Sequence, residues 1–178
     1  MTKVILINGK ARHGKDTVGK YIADILTKEG NSVLLTHYAD LLKYICKEFF
    51  GWNGTKGPKG RSLLQNVGTN VVRAKYPNYW VDFIIQMVEF FPDCWDYVVI
   101  PDTRFPNEVN EWKDSGYDVT LIKVERPDFQ SDLTEEQLAH ESENYVLNAD
   151  YTIVNNGSKN DLYDKVYHLL DEEIRVDK

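Results

Sequence analysis

Cysteine is nearly absent: the 178-residue chain has two, Cys46 and Cys94, with no Cys-x-x-Cys pair or Cys/His cluster around them. This argues against a disulfide framework or a structural zinc site and predicts reduced, packed thiols. An excess of basic charge is also missing. Twenty-one Lys and Arg stand against 28 Asp and Glu, a formal net charge of −7, so a general basic surface for nucleic acid is excluded and any anionic ligand must be met locally. Long apolar runs are lacking too. Val4 to Ile7 is the longest near the N-terminus, too short for a signal-peptide core or a membrane span. The expectation is a soluble, unexported, cytoplasmic protein, without a membrane or nucleic-acid partner, as a monomer or homodimer.

What is present is enough for one domain. A 42% apolar content at this length can bury a sizeable core. No repeat and no tail of like charge interrupts the chain, and short β-type runs alternate with longer helical ones, which predicts an α/β fold. Val4–Ile7 reads as a central strand covered on both faces. Val18, Tyr21, Ile22, Ile25 and Leu26 form one helical stripe ending near Gly30. Residues 32–37 read as a second strand, and Leu41, Leu42, Ile45 and Phe49 as a second helical stripe up to Gly51.

Residues 51–61 hold four glycines and Pro58, which predicts a mobile loop without regular structure. Two stripes follow, Leu63/Leu64/Val67/Val71 and Val81/Ile84/Ile85/Val88, separated at Pro77. Residues 97–100 and 119–124 read as strands with a helix over 106–115 between them. Residues 126–148 are polar and acidic, with a capping box at Thr134–Gln137. Residues 151–154 resume the sheet, Asn156-Gly157 turns the chain, and Ser158 with Asp161 caps a last helix whose stripe is Leu162, Val166, Leu169, Leu170 and Ile174. Five parallel strands with intervening helices are implied.

Gly9-Lys10-Ala11-Arg12-His13-Gly14-Lys15-Asp16-Thr17 has the G-x4-G-K spacing between an apolar strand and an amphipathic helix, the context a phosphate-binding loop requires. Glycines let successive N–H groups turn toward one centre, the helix start adds positive potential, and Lys15 brings a mobile charge for a polyphosphate. Position 16 is Asp, and the hydroxyl comes one residue later at Thr17. Beside phosphates, Asp16 must face magnesium, its waters or the helix N–H groups.

Asp102 and Arg104 follow a strand at its C-terminal end, where open α/β sheets gather ligands. The competing structural reading has Asp102 capping the following helix and Arg104 paired with Glu108. Arginine is scarce, six against fifteen lysines, yet Arg12, Arg61, Arg73, Arg104 and Arg126 flank the expected cleft, where bidentate grip on phosphate is useful. Trp80 and Tyr79 start a helical stripe, with a core or hinge role set against stacking on a base or sugar.

Taken with the loop, Ala39-Asp40-x-Leu42-Lys43, Leu64-Gln65-x-x-Gly68-Thr69, Trp80-Val81, Asp102-Thr-Arg104-Phe-Pro-Asn-Glu108, Glu125-Arg126-Pro127 and His140-x-Ser-Glu143 resemble, in one order, the phage and bacterial deoxynucleoside monophosphate kinase family. The resemblance implies a P-loop NTPase fold, a three-layer αβα domain with a five-stranded parallel sheet. It divides one domain of 1–178 into a core (1–50, 94–125, 149–178), a helical acceptor-binding region (51–93) and a lid (126–148).

It also implies ATP as co-substrate with Mg2+, held by Gly9, Arg12, His13, Gly14, Lys15, Asp16, Thr17 and Arg126, with Asp16 and Thr17 on the metal directly or through water. The acceptor would meet Lys10, Leu42, Lys43, Gly68, Thr69, Arg73, Trp80, Asp102, Arg104 and Glu108, with Lys15, Arg104 and Asp102 catalytic. The implied reaction moves the γ-phosphoryl group of ATP to a deoxynucleoside monophosphate. A P-loop kinase of another small phosphorylated metabolite, or a non-catalytic nucleotide-binding module, are the alternatives.

Overall fold

The computed structural model describes residues 2–55, 57–130, 135, 139 and 145–175. Five strands, β1 (Lys3–Asn8), β2 (Val33–Leu35), β3 (Tyr97–Ile100), β4 (Asp118–Glu125) and β5 (Tyr151–Val154), form one sheet in the order β2-β3-β1-β4-β5. Every pairing is parallel. β1 is central, and its period-2 alternation feeds two cores: Val4 and Leu6 face one layer, Ile5 and Ile7 the other.

The layer around Ile5 and Ile7 is closed by α1 (Lys15–Lys28) and α6 (Lys159–Leu169), through Val18, Ile22, Ile25, Leu162 and Val166. The opposite layer takes α2 (Ala39–Phe50), α4 (Tyr79–Phe90) and α5 (Pro106–Asp114), with Trp80, Ile84, Val88 and a fully buried Trp112. The helices form where expected because their apolar stripes have the 3.6-residue period and their ends carry stop signals. Gly30 and Gly51 follow α1 and α2 with φ of 90° and 64°. At α6 the Asp161 N–H donates to Ser158 Oγ and the Ser158 N–H to Asp161 Oδ2, the expected capping box.

Several expectations are corrected. β2 is three residues long rather than six, its pairing with β3 ending where the Thr36 N–H donates to the Val99 carbonyl (3.1 Å). Phe49 and Val71 are exposed, because Cys46 and Val67 take the buried positions of their stripes. Cys46 is packed as expected, but Cys94 is exposed in the turn after α4.

Residues 58–61 are helical, not loop: α3 spans Pro58–Gln65 and continues as a π-helical stretch, Asn66–Arg73. Pro58 at the helix start pre-sets the backbone. Trp52 Nε1 donates to the Thr55 carbonyl (2.9 Å), and Gly60 leaves room for both groups: a Cβ there would lie 2.1 Å from that carbonyl oxygen. The glycine-rich segment is therefore folded onto α3 by a close approach. The Thr134–Gln137 capping box and the His140–Glu143 motif lie outside the described residues.

Candidate active site

The chain leaves β1 at Asn8, whose side-chain amide donates to the Thr103 carbonyl (2.9 Å), while the Thr103 N–H donates to the Ile7 carbonyl (3.2 Å). The C-terminal ends of β1 and β3 are thus tied together, and the loop 9–14 is built beside them. Gly9, Arg12 and Gly14 have φ of 149°, 63° and 103°, conformations that turn the backbone back on itself. Gly14 opens α1 without a side-chain cap, leaving the first-turn amides for an anion. Lys15 is almost buried, and its ammonium donates to the Gly9 and Lys10 carbonyls (2.7 and 2.9 Å). It is stored on the loop it serves.

The back of the loop is held from β4 and β5. Asn155 Nδ2 donates to the His13 carbonyl (3.0 Å), and the Arg126 N–H donates to His13 Nδ1 (3.1 Å). An accepting Nδ1 requires that nitrogen to be unprotonated. Burial and the neighbouring Lys15 lower the His13 pKa in that sense.

In front of the loop lies a cavity of about 450 Å3, within the range for small-molecule sites. It gathers Arg12, Lys15 and Asp16 from the loop side and Leu42, Lys43, Gly68, Thr69, Arg73, Trp80, Asp102, Arg104 and Glu108 from α2, the π-helical stretch, α4, the β3–α5 turn and α5. These are the expected acceptor residues apart from Lys10. Gly9, Lys10, His13, Gly14 and Thr17 do not line it; the first four shape the loop behind. Arg126 is also outside, with its guanidinium over the Phe129 ring at 5.1 Å. Four of the five arginines expected at the cleft do converge, namely Arg12, Arg61, Arg73 and Arg104.

The carboxylates have partners other than those read from sequence. Asp102 caps α2, not the helix that follows it: Oδ1 and Oδ2 accept the Tyr38 and Ala39 N–H groups, each at 3.0 Å. It anchors the helix bearing Leu42 and Lys43 to the end of β3. Glu108 pairs with Arg73 (2.5 Å), and its Oε2 accepts the Arg104 and Phe105 N–H groups (2.7 and 3.1 Å), fixing the turn that presents Arg104. Burial pushes the Glu108 carboxyl up, while Arg73 and those two amides oppose the rise. Six cations, Arg12, Lys15, Lys43, Arg61, Arg73 and Arg104, line the cavity against three carboxylates, Asp16, Asp102 and Glu108, a local positive excess inside an acidic protein.

The wide turn at Asn66–Arg73 brings backbone into the wall. The Gly68 carbonyl accepts Trp80 Nε1 (3.0 Å), and a Cβ on Gly68 would lie 2.6 Å from Leu42 Cδ2. Glycine here gives the Leu42 side chain room to pack directly on this stretch. π-helical turns recur at functional sites.

His37 was not foreseen. It follows β2 at the C-terminal edge of the sheet, a position that itself signals ligand contact. Its Nε2 is 3.6 Å from Asp16 Oδ1 and its Nδ1 3.2 Å from Asp40 Oδ2, while Lys43 Nζ donates to Asp40 Oδ1 (2.8 Å). The Asp16 carboxylate beside it raises the His37 pKa against the effect of burial. Asp16 thus faces an imidazole, a partner not considered from sequence. Among the described residues no group of three or more His, Cys, Asp or Glu could hold a metal ion. Among the same residues no helix is long and apolar enough to cross a membrane.

Comparison with known proteins follows the same direction. The family described as deoxynucleotide monophosphate kinase matches residues 52–166. The deoxynucleotide monophosphate kinase of Enterobacteria phage T4 is 30% identical over 115 residues, 62% of this chain but 44% of that relative's length. The chain therefore matches under half of that protein. Among solved structures, the Mycobacterium tuberculosis APS kinase in complex with AMPPNP and APS superimposes with a TM-score of 0.57 at 13% identity, covering 96% of this chain and 98% of that one. Shikimate kinase from Aquifex aeolicus gives 0.54 at 11% identity, with 94% and 96% covered. These two likenesses show the P-loop kinase fold.

Proposed function

The chain belongs to the deoxynucleotide monophosphate kinase family, and from that premise we propose that it transfers the γ-phosphoryl group of ATP to the 5′-phosphate of a deoxynucleoside monophosphate. The observation that carries the reading is one cavity shared by the loop lysine and a cationic, aromatic-walled acceptor region. ATP binds with its phosphates on the 9–17 loop, where Gly9, Gly14 and the first-turn amides of α1 meet them, and Lys15 leaves its carbonyls for the β- and γ-phosphates. His13 and Arg126 shape the outer side of that site.

The acceptor enters between α2, the π-helical stretch and α4. One of its phosphate oxygens bonds the γ-phosphorus as the bond to the β-phosphate oxygen breaks, and ADP leaves. The acceptor is already anionic near neutral pH, so no strong base is needed and catalysis is positioning plus charge stabilization. Lys15, Arg104 and Arg12 offset charge on the migrating group. Asp102 acts through α2, holding Leu42 and Lys43 in place, and Glu108 acts through the turn carrying Arg104. Asp16 and Thr17 would hold magnesium directly or through water, and the ion would supply further charge neutralization.

We place this activity in the cytoplasm, where ATP is supplied. The test is acceptor-dependent ADP release across all ribo- and deoxyribonucleoside monophosphates. Turnover with one or a few deoxynucleotides supports the reading and names the base. ATP binding by a folded protein with no turnover on any of them overturns it, in favour of another phosphorylated acceptor or a non-catalytic role.

A further inference from the structure

Arg73 is placed to do something other than grip phosphate. It ends the π-helical stretch, and its side chain is 11% exposed. Nη1 donates to the Pro77 carbonyl (3.2 Å) and to Asn107 Oδ1 (3.1 Å), which uses both hydrogens of that nitrogen. Nη2 donates to Glu108 Oε1 at 2.5 Å. Three of the five guanidinium N–H groups, including both on Nη1, are therefore spent on the protein, so the end-on fork of the two terminal nitrogens is not offered to phosphate. Its charge is matched by a buried carboxylate.

One face of the guanidinium is covered as well. Arg73 Cζ lies 3.7 Å from the centroid of the Phe105 ring, and that ring is backed by Tyr145, with centroids 5.3 Å apart. Arg73 nevertheless lines the cavity. A planar group with its end bonded and one face covered has its other face to offer. On this side of the cavity Trp80, Leu42 and Gly68 offer apolar side chains and backbone beside Lys43 and Arg104, whereas Arg12 and Lys15 belong to the loop side.

We propose that Arg73 binds the base of the acceptor by stacking, its guanidinium plane serving as a shelf fixed on Phe105, and that it does not bind the acceptor's phosphate. This deepens the acceptor reading above and rests on it. A shelf contacts the π-face of a base and not its edge, so it accepts any planar base and favours the larger purine ring. Lysine at this position keeps the charge and a bond to Glu108 but has no plane, so the exchange is not conservative.

The experiment compares the parent, Arg73→Lys and Phe105→Leu in the acceptor KM for purine and pyrimidine deoxynucleoside monophosphates, and in competitive inhibition by 2-deoxyribose 5-phosphate, which has the phosphate without the base. Arg73→Lys should raise the nucleotide KM about tenfold, as expected for a lost stack, more for purines than pyrimidines. Its kcat should fall less than its KM rises, and the sugar phosphate Ki should stay within twofold. Phe105→Leu should move the same values in the same direction to a smaller extent, and it stands in if the lysine variant does not fold by thermal melting.

An equal rise in the nucleotide KM and the sugar phosphate Ki would overturn the proposal by assigning Arg73 to phosphate. An unchanged nucleotide KM would overturn it by removing Arg73 from the acceptor altogether. If the parent turns over no nucleoside monophosphate, the kinase reading fails separately. The shelf is then tested by quenching of tryptophan fluorescence with uncharged deoxyguanosine, which should weaken in Arg73→Lys and would refute the shelf if it did not.

Discussion

Gly9→Ala is the smallest change that reaches the centre of the site. A Cβ at this position would lie 2.4 Å from the Val124 carbonyl oxygen, where ordinary contacts begin at 3.4 Å, so one backbone must retreat by about 1 Å. Val124 belongs to β4, which is paired on one side to β1 and on the other to β5. The loop therefore yields, not the strand. The Gly9 carbonyl holds the Lys15 ammonium at 2.7 Å, and the displacement carries the lysine and the loop amides with it.

A misplacement of about 1 Å in a catalytic constellation costs on the order of 100-fold. The φ of 149° adds strain of about 1–3 kcal/mol for a residue with a side chain, or roughly 2–12 °C in melting temperature for a domain of this size. The assay is kcat/KM for ATP beside a circular-dichroism melt. A variant within threefold of the parent in kcat/KM would refute the reasoning, because the loop would then not work in this conformation.

Asp102→Asn leaves one acceptor where α2 needs two, costing about 1–2 kcal/mol as cap and dipole interactions weaken. The variant should melt about 2–8 °C lower and lose acceptor affinity more than ATP affinity; unchanged melting would remove Asp102 from its anchoring role. His37 has a raised pKa through Asp16. Its stabilizing contribution is complete below the unfolded value of about 6.5 and is lost as pH rises through the higher folded value. An NMR titration should place its midpoint above 6.5 and see it fall in Asp16→Asn, whereas the same midpoint in both proteins would deny the contact.

The parts legible in the sequence are those fixed by short-range chemistry. G-x4-G-K after Val4–Ile7 specifies a loop whether or not anything else is known, and the stripes of α1, α4 and α6 place their helices by period alone. What was missed depends on contacts distant in sequence. Phe49 and Cys46 both fit a helical stripe, and only the packing of α2 in the fold buries one and leaves the other in water. Glycine and proline at 51–61 read as loop because Gly60's use, admitting the Trp52–Thr55 contact, cannot be seen without the fold.

The structural alternative for Asp102 in the sequence is capping the nearest helix, yet it caps α2, whose start lies 63 residues earlier, because β2 and β3 are neighbours in the sheet. Arg73 drew attention as a cation. Its partners at Pro77, Asn107 and Glu108 are what turn that cation into a rigid, neutralized plane. His37 carries no motif, and its importance comes from standing at a strand end between two helix starts.

The central claim is phosphoryl transfer from ATP to a deoxynucleoside monophosphate at the site formed around Lys15. The most direct measurement follows the label from γ-labelled ATP in the parent and in Lys15→Ala, with each deoxynucleoside monophosphate as acceptor. The account predicts label in the β-position of a deoxynucleoside diphosphate, matched by equal ADP, and no such product from a folded Lys15→Ala protein. Label retained in ATP or released only as inorganic phosphate by the parent, or transfer undiminished in Lys15→Ala, would contradict it.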